Sequence, residues 1–190
     1  LLLVALSLSK SVIACTTFFI NTPTEKVFGR NYDWMIGTGQ IIENKKGLLK
    51  KSMVKPGETS VSWTSKFGSV TFNQFGKEFP LGGMNEKGLT VTLNAAKSGL
   101  PTSAKTPISI VARKILQYAK NIDEAFEIAK QHETFVSESL MIGSAEDGYT
   151  AIIEKSVDKV ALYRSDSSSI ICSNHYQSDS FKTDADNQNN

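Results

Sequence analysis

Cysteine and histidine are both scarce in these 190 residues, at two each: Cys15, Cys172, His132 and His175. That count excludes a disulfide scaffold and a four-cysteine zinc cage, and severely limits imidazole-based metal sites. Charge of one sign is lacking too. Lys+Arg number 21 against Asp+Glu 19, a formal charge of +2, which argues against a nucleic-acid groove and against a polybasic membrane face. Prolines number only five and 40% of residues are hydrophobic, so the profile is one compact domain, neither disordered nor fibrous. No internal repeat and no linker divides it.

Cofactor signatures are missing as well. There is no phosphate loop and no His-Glu-x-x-His, and Gly37-Thr-Gly39 lacks a third glycine between a strand and a helix, so it reads as a turn. Asp184-Ala-Asp186-Asn187 lacks the glycine and closing glutamate of a calcium loop and reads as a solvated tail. Lys45, Lys46, Lys50 and Lys51 surround Gly47 and read as a solvated hairpin tip. Neither a cofactor nor a metal is expected.

The apolar run from Leu1 to Leu8 is too short to span a bilayer. Its size suits the core of a secretory signal, and Val12 and Ala14 are small enough for the two positions that a signal peptidase reads. Residues 1–14 are therefore expected to be a signal peptide, incomplete at its start. The chain would be exported, to the periplasm or beyond, with Cys15 as its first mature residue. The segment Val12-Ile-Ala-Cys15 also passes as a lipobox, in which Cys15 would carry lipid; on this segment alone the two readings stand level.

After Cys15 the text is β-branched and aromatic. Cys15–Ile20 and Val27–Asp33 flank the turn Asn21-Thr-Pro23-Thr, which predicts a hairpin. Further strands are expected at Val61–Thr64, Ser69–Phe75 and, after a turn at Gly82-Gly83, Leu89–Leu93. The period then changes. Thr106-Pro107 reads as a cap with proline at the first helical position, and Ile108, Val111, Ala112, Ile115, Leu116 and Ala119 share one helical face. A second helix follows Asn121, with Asp123 and Glu124 in its first turn and Ile122, Ala125, Phe126 and Ala129 inward. Strands resume at Leu140–Ile142, Tyr149–Ile153, Val160–Tyr163 and Ile170–Ser173, and the tail from Ser178 is polar. Strands, then helices, then strands imply an α+β fold whose helices cover sheets.

What remains for chemistry is a cysteine at a strand start, with Arg30 and Asp33 returning beside it. A free thiol, with a pKa of about 8.5, needs a base to become a thiolate. If Cys15 is terminal, its own α-amino group supplies that base. Arg30 keeps its proton and would stabilise the sulfur's charge, while Asp33 could orient the amine. Side-chain amides suit an oxyanion, and Asn94 and Asn174 each end a predicted strand; on spacing alone, strand-end capping is the commoner role for both. His175 offers a rival Cys–His dyad, although a strand-end surface histidine is commoner.

These residues fall in an ordered set: Ala14-Cys15-Thr-Thr-Phe18, Phe28-Gly-Arg-Asn-Tyr-Asp-Trp34, the stretch Trp63 to Phe75, Gly82-Gly-Met-Asn-Glu-Lys-Gly-Leu89 and Ser173-Asn-His175. Together they resemble the choloylglycine hydrolase family of linear-amide hydrolases, which includes bile salt hydrolases and penicillin V acylases. The resemblance implies the N-terminal-nucleophile fold, an αββα sandwich of two antiparallel sheets between helix layers. It also implies hydrolysis of a linear carbon–nitrogen amide bond through an acyl-cysteine, and moves Cys15 from lipid acceptor to nucleophile. Residue by residue, Cys15, Arg30, Asp33 and Asn174 match the family's catalytic positions, and Asn94 matches an oxyanion asparagine of bile salt hydrolases.

The family's later catalytic arginine would follow Asn174 and is not found before Asn190; Arg164 precedes Asn174 and is no substitute. The domain of residues 15–190 is thus expected to lack its C-terminal part. The expected partner is a small N-acyl amide with a bulky apolar acyl group, facing Phe18, Phe19, Trp34 and Phe67, at least one of the first two serving the core instead. No nucleic acid and no stable membrane insertion after processing are expected, and homo-oligomerisation is left open. The rival functions are an acyltransferase of the penicillin-biosynthetic type and a non-catalytic lipoprotein.

Overall fold

The structure, a computed structural model, describes residues 14–52, 54–74, 76–96, 106–183 and 187. The predicted leader before Ala14 lies outside the described residues, as do Phe75 and Asp184 to Asp186. The chain runs β1 (Thr16–Asn21), β2 (Lys26–Asn31), β3 (Gln40–Asn44), β4 (Leu49–Lys51), β5 (Ser62–Thr64), β6 (Ser69–Asn73), β7 (Pro80–Asn85) and β8 (Leu89–Ala95). It continues through α1 (Ile108–Tyr118), α2 (Ile122–Lys130), β9 (Glu138–Ser144), β10 (Tyr149–Lys155), β11 (Val160–Arg164) and β12 (Ser169–Cys172).

Two antiparallel sheets face each other. The larger has seven strands in the order β11-β10-β9-β8-β7-β6-β3, the smaller has three in the order β12-β1-β2, and β4 pairs with β5 alone. Alternation along the central strands explains the layering. Leu89, Val91 and Leu93 of β8, with Leu140, Ile142 and Ile153, point to one face and pack on Val111, Ile115, Leu116 and Ile122 of the helices. Met141 and Ile152 point to the other face and meet Ile170, Cys172, Phe19 and Phe28 of the small sheet. Each such fully buried aliphatic side chain contributes about 1.5–3 kcal/mol. The predicted α+β class with two antiparallel sheets is observed, in the order helices, large sheet, small sheet. Among the described residues no helix covers the outer face of the small sheet, where Ile20, Val27 and Ile171 are exposed.

Several local expectations are corrected. Gly82-Gly83 is not a turn but the middle of β7, because neighbouring groups leave no room for side chains: a Cβ on Gly83 would lie 2.5 Å from the Val70 carbonyl oxygen. Gly37-Thr-Gly39 is part of the loop before β3, and Gly39 is small because a Cβ there would strike the Phe72 ring. Pro107 is the N-cap of α1 rather than its first residue and offers no side-chain cap, while Thr106 bridges to Thr134. In α2 the cap is as expected, with Asn121 accepting from the Glu124 amide. The lysine-flanked turn at Gly47, φ +73°, links β3 to β4, but these strands join different sheets, so it is no hairpin tip. The polar tail is not solvated throughout. Phe181 is fully buried against Tyr176, and Asn187 clamps both backbone groups of Tyr176.

Candidate active site

Antiparallel pairing brings the start of β1, the end of β2 and the end of β12 to one edge of the small sheet: Thr17 lies opposite both Arg30 and Cys172. Cys15 precedes β1 there and is buried, with its thiol directed at the Asp33 carbonyl oxygen at 3.8 Å. Across the gap, β7 and β8 pair no further than Gly82 with Thr92, so the carbonyls of Leu81 and Leu93 sit where the ladder has opened. The Arg30 guanidinium fills that opening, donating to Leu81 O and Leu93 O at 2.7 Å each, with its charge close enough to act on the Cys15 side chain. Burial pulls the Arg30 pKa below its ordinary value, and the Cys15 sulfur opposes that shift.

Asp33 reaches the cysteine through its backbone, while its carboxylate accepts from Asn31 Nδ2 at 2.8 Å. Asn94 is fully buried between the sheets. Its Oδ1 accepts from Thr17 Oγ1 at 2.8 Å and its Nδ2 donates to the Cys172 carbonyl at 3.1 Å, so one of its two amide hydrogens is already engaged. Asn174 lies just beyond β12 and donates to Ala95 O at 2.6 Å, one residue after Asn94. All five residues singled out in the sequence therefore gather at one end of the sandwich. His175 does not join them as a dyad partner: it is exposed and paired with Ser173 at 2.7 Å. Cys172 is no rival nucleophile, since burial pushes its thiol up to about 12.

A cavity of about 500 Å³ opens beside Arg30, walled by Tyr32, Ile41, Val70, Phe72 and Met84. The aromatic residues expected there are mostly elsewhere. Phe19 packs in the core between the sheets, the Phe18 ring lies over Gly29, and Phe67 is buried at 5% exposure, its amide bonded to the end of α1. Trp34 alone stays near, stacked on Tyr32 at 6.4 Å. Tyr32 was not singled out from the sequence, although it sits inside the Arg-Asn-Tyr-Asp-Trp motif. Its hydroxyl donates to Gln74 and the Arg30 guanidinium lies 4.7 Å from its ring centre. Glu138 is a second such residue. Its carboxyl is withdrawn from solvent near Arg30, and burial pushes its pKa up to about 8 against the pull of that guanidinium. No local pattern marks such a residue, because only the fold places it opposite Ala95 at the end of β8.

A cysteine entering the central strand of a small sheet that faces a larger antiparallel one places this chain in the N-terminal-nucleophile fold class. The same fold is found in penicillin V acylase from Agrobacterium tumefaciens, at 24% identity and TM-score 0.58 over 78% of this chain and 49% of that one. It is found again in a mutant of the conjugated bile acid hydrolase from Clostridium perfringens, at 18% identity and TM-score 0.65 over 88% and 55%. The chain belongs to the family described as Acyl-coenzyme A:6-aminopenicillanic acid acyl-transferase, which it matches over residues 20–190. It is also 34% identical over 149 residues to penicillin V acylase of Pectobacterium atrosepticum, covering 70% of this chain and 39% of that protein. The expected kinship with penicillin V acylases and bile acid hydrolases is borne out. The chain spans about two fifths of the length of that curated relative.

Proposed function

We propose that this chain carries the nucleophile half of a hydrolase that cleaves linear carbon–nitrogen amide bonds in N-acyl amides. The observation that carries the reading is the gathering of a buried Cys15, its thiol on the Asp33 carbonyl, beside an Arg30 guanidinium anchored on two main-chain carbonyls. In this reading a signal peptidase cuts after Ala14 during export and frees the Cys15 α-amine. The amine takes the thiol proton, and the thiolate attacks the amide carbonyl. Asn94, Asn174 and backbone donors hold the oxyanion. The carbon–nitrogen bond then breaks, with the α-ammonium returning its proton to the leaving amine. Water attacks the acyl-cysteine, the carbon–sulfur bond breaks, and the acid departs. The apolar cavity beside Arg30 takes the acyl group, so a bulky apolar acid is favoured.

The family description favours a second reading, in which an amine replaces water as acyl acceptor. The test is turnover of penicillin V and of a glycine-conjugated bile salt by the processed protein, with Cys15→Ser and Ala14→Asp alongside, and with and without an added amine. Hydrolysis lost in both variants is expected. Amidase activity retained in Cys15→Ser would refute the mechanism, and an N-acylated amine as the main product would select the transferase. Mass spectrometry of the mature N-terminus separates a free cysteine from a lipidated one.

A further inference from the structure

A groove of about 660 Å³ lies on the helix side of the large sheet, the face opposite β1, between the β4–β5 pair and the two helices. Its walls are apolar: Val61 and Trp63 on one side, Ile110 and Tyr118 of α1 and Ile128 of α2 on the other. Its charged groups have one sign. Arg113 and Lys114 line it from α1, and Lys50 on β4 is close enough to feel the Arg113 charge. Lys114 Nζ lies 3.0 Å from His132 Nε2, which must accept, so the imidazole is neutral. Burial, and then Lys114 and Lys155, hold the His132 pKa below its ordinary value, in keeping with that assignment. Among the described residues, the carboxylate that answers these cations is Glu78, bound to Arg113. One anion against three cations leaves positive charge uncompensated beside a desolvating wall. Burial and the Arg113 charge accordingly lower the pKa of both Lys50 and Lys114.

Trp63 and Arg113 line the groove together, the guanidinium lying 4.7 Å from the Trp63 ring centre, so a cation and a flat apolar wall meet there. We infer that this groove binds an organic carboxylate with an apolar body, its head group on Lys114 and Arg113 and its hydrocarbon between Trp63, Ile110 and Ile128. A bare inorganic anion would leave those walls wet, and a neutral amphiphile would leave the cations unanswered. The site is separate from Cys15, and its occupation does not depend on catalysis.

Calorimetric titration of the full chain with decanoate, 1-decanol and inorganic phosphate tests this. Decanoate should bind, with decanol and phosphate each at least about tenfold weaker, and Lys114→Met should weaken decanoate by about tenfold, the loss of one charge-assisted contact. Lys114→Gln, which keeps a polar partner for His132, gives the same readout should Lys114→Met fail to fold. Decanoate affinity unchanged in both variants would place the ligand in the cavity beside Arg30 and overturn the proposal. Equal affinity for decanol, or no decanoate binding, would overturn it as well.

Discussion

Gly82 stands where a side chain would crowd Arg30. A Cβ on that residue would lie 3.3 Å from Arg30 Nη1 and 3.1 Å from the Val91 carbonyl oxygen, so the glycine keeps open the channel through which the guanidinium reaches Leu81 and Leu93. A Gly82→Ala variant should fold but lose about 1–3 kcal/mol, the usual cost of overpacking. Displaced guanidinium should also slow alkylation of Cys15 by iodoacetamide. Urea unfolding and a timed alkylation assay measure the two effects, and wild-type values in both would show that Arg30 can be accommodated elsewhere.

Thr17 fixes which way round the Asn94 amide sits, since its hydroxyl donates to Oδ1 at 2.8 Å and lies 3.0 Å from Thr92 Oγ1. Thr17→Val keeps the shape and removes both bonds. Loss of about 1–3 kcal/mol in stability is expected from the buried acceptor left unmet. In the turnover assay kcat should fall more than KM rises, because the amide is proposed to act on the transition state. A change confined to KM would remove Asn94 from that role.

Glu138 makes the fold sensitive to alkali. Its carboxyl binds a proton more tightly in the folded state, at about 8, than at its ordinary value of 4.5, so the folded form holds an extra proton between those values. Its contribution is therefore fully present below 4.5 and declines as pH rises toward 8, by up to a few kcal/mol. Glu138→Gln should flatten the stability curve over that window and be the more stable protein at its upper end. Denaturant titrations at pH 5 and pH 8 decide it, a parallel decline in both proteins being the adverse result.

The segment after β12 is held by a buried carboxylate. Glu154 accepts from the backbone amides of Gln177 and Ser178, the latter at 3.0 Å. Phe181→Ala should cost about 3–5 kcal/mol, as for other fully buried aromatic side chains. Glu154→Gln should cost about 1–3 kcal/mol and raise amide hydrogen exchange specifically at residues 177 and 178. Protection unchanged at those two amides would mean that the segment is held without Glu154, by Phe181 and the Asn187 clamp on Tyr176.

Periodicity made α1 and α2 legible, down to the buried faces at Val111, Ile115 and Ala125, because an amphipathic helix repeats its burial within its own sequence. The hairpin of β1 and β2 was legible through its turn. β3, β4 and β7 were not, since Ile41 and Leu49 are exposed strand residues and β7 carries glycines whose purpose is set by Arg30 and Val70, far away in sequence. The site residues were readable where a motif clusters them, as with Arg30 and Asp33. Tyr32, Thr17 and Glu138 became visible only when three strands ended at one place. Phe181 was misplaced because a lone aromatic residue in a polar stretch has no repeat to announce its burial.

The pairing of β1 with β12 sets an order of events. Thr17 and Cys172 are neighbours in space and nearly the whole described chain apart in sequence. Contacts of that reach close late in folding, after local hairpins and helices have formed. A chain emerging from the ribosome can zip β1 to β2 at once, yet the Cys172 carbonyl that holds Asn94 and the loop that presents Asn174 emerge only after β3 to β11 have been made. The Cys15 thiol therefore spends synthesis without its finished surroundings, and only assembly of the sandwich completes them.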